Sequence, residues 1–74
     1  MKDQRRLLHK CMHAEIPVFV LCGSDKCAID TLIEYYNIAQ KKGCSTDFLE
    51  DLKLLIEDFE QFQEEEPEKV NTPD

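Results

Sequence analysis

The apolar residues of this chain recur at helical spacing in two long stretches. Between residues 25 and 42, Ala28, Ile29, Leu32, Ile33, Tyr35, Tyr36 and Ala39 fall on one broad arc at about 100° per residue, and Lys26, Asp30, Glu34, Asn37 and Lys41 lie opposite. Between residues 46 and 63, Phe48, Leu49, Leu52, Leu55, Ile56, Phe59 and Phe62 form a stripe at the i, i+3, i+4, i+7 spacing. The residues between the stretches agree with this reading. Gly23-Ser24-Asp25 supplies a turn and an N-cap, and Gly43 offers a left-handed stop after Lys41 and Lys42. Ser45 caps the next helix, with Cys44 and Leu49 placed as a hydrophobic staple and Asp47 and Glu50 at the positive end of its dipole. Two such helices joined by so few residues must fold back as an antiparallel hairpin.

Ahead of the hairpin, the run Ile16-Pro17-Val18-Phe19-Val20-Leu21 is β-branched and aromatic, which favours an extended conformation over residues 16–22. Pro17 ends any helix arriving from the amino terminus and pushes Ile16 toward extended geometry. No second strand-like run exists to pair with this segment. It is expected to lie unpaired across the hairpin and cover the arc, with pairing between two molecules as the alternative. Leu7, Leu8, Cys11 and Met12 give residues 1–14 the apolar face of a short helix, the other reading being a basic arm. Residues 64–74 carry one aliphatic residue, two prolines and five acids, and are expected to be a disordered acidic tail. The fold class is therefore mainly α, with a single helical domain over residues 15–63.

Length and charge narrow the functions. A chain of 74 residues, 42% hydrophobic and 34% charged, has room for one small domain without a large internal cavity. Residues 27–74 hold thirteen acids against four lysines, so the larger part of the chain should repel nucleic acid. Only Lys2, Arg5, Arg6 and Lys10 offer a basic arm for nucleic-acid contact. Neither a signal-peptide pattern nor about 18 consecutive apolar residues occurs, so no membrane is implied and the expected location is cytoplasmic, with Cys11, Cys22, Cys27 and Cys44 reduced.

The run Pro17-Val18-Phe19-Val20-Leu21, with Asp25-Lys26, Ala28, Gly43 and the closing Thr72-Pro73-Asp74, resembles a group of short bacterial and prophage-type proteins over residues 15–74. The resemblance implies a small helical fold without an assigned activity, and it carries over no functional residue.

Candidate chemistry is sparse. His9, His13, Cys22 and Cys27 are the residue types of a zinc or thiol site, but on a helix Cys11 points about 200° away from His9, and the repeated Cys-x-x-Cys pattern is missing. Cys27, near a helix N-terminus, is a candidate reactive thiol with Cys22 as its resolving partner. Ser24 and Ser45 are taken up by the turn and the cap, the two glycines make no phosphate loop, and the carboxylates lie on solvated faces. The expectation is a protein that is not an enzyme and takes no cofactor. What remains is surface. Leu54 sits amid the polar face of the second helix, ringed by Glu50, Asp51, Glu57 and Asp58, a frame suited to a protein partner with a basic surface. The function expected is macromolecule binding by an accessory or regulatory protein of a mobile element. A monomer is favoured, with a homodimer through residues 18–21 as the alternative.

Overall fold

Three helices carry the chain. The computed structural model describes residues 3–74 and contains α1 (Gln4–His13), α2 (Ala28–Lys41) and α3 (Thr46–Glu65), followed by a single 3-10 turn at Pro67–Lys69. Asp3 starts α1 by accepting from the Arg6 amide at 2.8 Å. Its end is a Schellman turn, in which the Ile16 amide donates to the Cys11 carbonyl at 2.9 Å and the Glu15 amide to that of Met12 at 3.4 Å. The residue in the left-handed position there is Glu15, at φ 56°, where glycine would carry no steric cost. Pro17 follows, so the helix has no route onward.

The turn between α2 and α3 has the same design with its favoured residue. Gly43 takes φ 78°, its amide donates to Gln40, and the Cys44 amide donates to Ala39 at 3.0 Å. Ser45 then caps α3 by accepting from the Phe48 amide at 3.2 Å. The two helices run antiparallel. Tyr35, in the second half of α2, meets Phe48 in the first turn of α3 with ring centroids 6.3 Å apart, and the Phe62 ring at the far end of α3 lies against Gly23, ahead of α2.

The far end of the hairpin departs from expectation. The helix expected from residue 25 begins at Ala28, because the Asp25 side chain folds back to accept from the Cys27 amide at 2.7 Å and holds residues 25–27 in a turn. The segment expected to be a disordered tail is also engaged. The Asn71 amide donates to the Ser24 carbonyl at 2.9 Å, and the Lys26 amide donates to the Asn71 carbonyl at 2.8 Å, forming an isolated parallel bridge between Asp25 and Asn71. Gln63 ties the same turn from α3, its amide nitrogen donating to the carbonyls of Gly23 and Asp25 at 3.0 Å each. Composition missed this docking because it uses backbone groups, one glutamine and the half-buried Val70 instead of a run of apolar side chains.

Burial is thin. Only Ala28, Ala39 and Leu52 are buried among the described residues, and every other apolar residue of the α3 stripe is half-buried. The arc on α2 is narrower than expected, since Ile33 and Tyr35 stay 42% and 52% exposed. The reason is the extended segment, which was expected to cover that arc. Leu21 alone tucks in, while Phe19 and Val20 remain 80% and 67% exposed, and α1 has no buried residue.

Leu52→Ala should destabilise the protein by about 2 to 5 kcal/mol, while Leu54→Ala should change stability by less than about 0.5 kcal/mol. Thermal melts of both variants check the helical phase, and the opposite ranking would refute it. Removing residues 67–74 should lower Tm by about 5 to 10 °C through loss of the two bonds to residues 24–26. An unchanged Tm would mean that these bonds do not hold in solution.

Candidate functional site

Because residues 18–20 stay exposed and do not close down on the hairpin, an open apolar groove of about 500 Å³ remains between them. Its floor is the seam of the hairpin, with Leu32 of α2 and Phe48, Leu52 and Leu55 of α3. Leu7 and Leu8 of α1 and residues 18–21 form its sides, and Arg5 is the one charged residue among the described residues that line it. Such a lining offers area and desolvation but no polar groups convergent enough to orient a small substrate.

The residues suspected of metal or thiol chemistry are not gathered. Among the described residues, no group of three or more His, Cys, Asp or Glu side chains is arranged to hold a metal ion. His9 and His13 are exposed on α1, while Cys22 and Cys27 are exposed in the turn ahead of α2. All four cysteines are free thiols. The Cys22 sulfur faces the Ser24 hydroxyl at 3.2 Å, and Cys27 serves α2 through its backbone, its carbonyl accepting from the Thr31 hydroxyl at 2.7 Å. Ser45 spends its hydroxyl on the α3 cap. Both serines are thus in the local roles that their spacing suggested.

The basic residues of the first segment are helical positions and not a free arm. Arg6 and Lys10 lie one turn apart on α1, whereas Arg5 is displaced to the rim of the groove, so they do not make a single stripe. Lys2 lies outside the described residues.

On the outer side of α3, Leu54 is 59% exposed. Glu50, Glu57 and Asp58 around it are exposed and Asp51 is half-buried. Helix spacing puts these four acids one turn before and one turn after Leu54, so they frame it on its own helix surface. Lys53 belongs elsewhere, to a hollow of about 220 Å³ that it lines with Ile33, Tyr36 and Ile56. Leu54 lines neither that hollow nor the groove, and its face is a separate surface.

Sequence reasoning found the acidic frame and missed the groove. The missed signal was quantitative, because Leu7, Phe19, Val20 and Tyr35 add more apolar surface than a two-helix core of this size can take in. Comparison with protein-family models, with curated proteins and with solved structures gives no match. The functional reading therefore rests on geometry and charge.

Exposed Cys22, Cys27 and Cys44 should be alkylated readily in the folded protein, with half-buried Cys11 slower. Added zinc should leave these rates unchanged when they are followed by mass spectrometry. Protection of Cys22 and Cys27 by zinc would contradict the dispersed arrangement.

Proposed function

We propose that this is a small non-enzymatic protein that binds a macromolecule with a basic surface, using the acidic outer face of α3. The observation that carries the reading is Leu54, exposed and with an acid at each helix-surface neighbour one turn away, Glu50, Asp51, Glu57 and Asp58. The leucine supplies desolvated contact, while the acids steer a basic partner toward it and disfavour acidic competitors. The wider charge supports this, since residues 27–74 carry thirteen acids against four lysines.

The same charge argues against nucleic acid as the partner, because phosphates would meet a repelling surface over most of the chain. No helix of the described residues is long and apolar enough to cross a membrane. The role that fits such binding without catalysis is an accessory or regulatory one, in a cytoplasmic setting and in the context of a mobile element.

Leu54→Lys tests the face directly. The substitution removes the apolar contact and part of the negative frame at a position 59% exposed, so the circular dichroism spectrum and Tm should match the parent. Capture of a basic protein partner from host lysate should fall at least about tenfold, and capture by the parent should weaken as added salt shortens the screening length below its value of about 8 Å at physiological ionic strength. A partner held equally well by Leu54→Lys would overturn this surface.

A further inference from the structure

We infer that the protein is a homodimer in which the extended segments of two copies pair antiparallel about a twofold axis at Phe19, closing the apolar groove of each. The inference concerns a different surface from the acidic face of α3 and does not depend on it.

The first support is area. A compact monomer of 8.7 kDa should expose about 4,700 Å², whereas this chain exposes 6259 Å². Its radius of gyration is 13.4 Å, against about 11 Å for a compact domain of its length. The excess of roughly 1,500 Å² per chain is more than the ~800 Å² per partner of a standard interface and lies in the range of obligate homodimers.

The second support is the backbone of the segment. The Ile16 amide is bonded inside the chain to Cys11, and the Cys22 carbonyl accepts from Asp25, but among the described residues no backbone hydrogen bond reaches residues 17–21. These residues, which lie in no helix or strand, present unbonded backbone acceptors and, Pro17 apart, donors, together with exposed Val18, Phe19 and Val20. Such an edge is a template for another strand.

Two features identify that strand as a second copy. Residues 16–22 hold no charged side chain, so two of them can meet on a twofold axis without opposing like charges, although each chain carries a net −7. Flanking them, residues 1–26 carry five bases against three acids, which suits them to approach the acidic hairpin of the other copy. The register also has a physical reason. Among the described residues Phe19 is the most exposed of the large apolar side chains, and centring the pair on it as a non-hydrogen-bonded position makes Val18 opposite Val20 the hydrogen-bonded pair. Pro17, which has no amide hydrogen, then falls opposite Leu21 at another non-hydrogen-bonded position, where none is needed.

Sedimentation equilibrium of the full chain tests the inference, with three variants alongside the parent. The parent should sediment at twice its 8.7 kDa chain mass. Phe19→Asp should be monomeric with an unchanged helical spectrum, since this side chain is 80% exposed. Val20→Pro should keep the fold, because the Val20 amide has no backbone partner among the described residues, yet raise the dimer dissociation constant by at least about tenfold through loss of an intermolecular bond on each side of the axis. Leu54→Lys should remain a dimer, so failure of the acidic-face reading and failure of this one are separately visible. A parent that stays monomeric up to its solubility limit, including one whose groove is taken instead by a different protein, would overturn the inference. So would a Phe19→Asp or Val20→Pro protein that dimerises as tightly as the parent.

Discussion

The seam between α2 and α3 is the constraint from which the rest of the structure hangs. Leu52, 2% exposed, is the buried residue of α3, and Ala28 and Ala39, near the two ends of α2, are the buried residues of the facing helix. The seam is fastened at both ends by backbone geometry. At one end Gly43, at φ 78°, returns the chain within a few residues. At the other, Gln63 and Asn71 bind the turn at residues 23–26 from two directions. Phe62 closes this end so tightly that a Cβ added at Gly23 would stand 3.3 Å from its ring.

What lies outside the fastened hairpin is less constrained. α1 has no buried residue, and its exit passes through Glu15 in a conformation that glycine adopts at less cost. The segment after it is anchored at Leu21 and keeps its backbone edge and its largest side chain in solvent. The hairpin has a short core and an open groove, whereas the outer face of α3 turns away from the groove. One molecule thus carries two surfaces of different chemistry, an apolar groove and an acidic helix face.

The helices were legible because their determinants are local. Periodicity placed the α3 stripe, Ser45 announced its start, and glycine at position 43 announced the turn. Non-local determinants were not legible in the same way. Asp25 looked like a helix cap, but Asn71 bonds the backbone on either side of it, at Ser24 and Lys26, and the Asp25 side chain turns the chain at Cys27 instead. The carboxyl-terminal segment looked solvated because composition registers apolar side chains, while its docking runs through main-chain groups. Of the candidate sites, the frame around Leu54 was visible as helix spacing. The groove was not, because its lining comes from four separate stretches whose approach depends on how far the extended segment closes.

The central claim is that the hairpin is fastened at its open end by residues 63–71. Native-state hydrogen exchange followed by NMR reads this directly at the amides of Lys26 and Asn71, each of which donates across the junction. The account predicts that both exchange slowly, protected to a degree comparable with amides in the middle of α3. Exchange of both at the rate of an unstructured peptide, with the middle of α3 still protected, would contradict it.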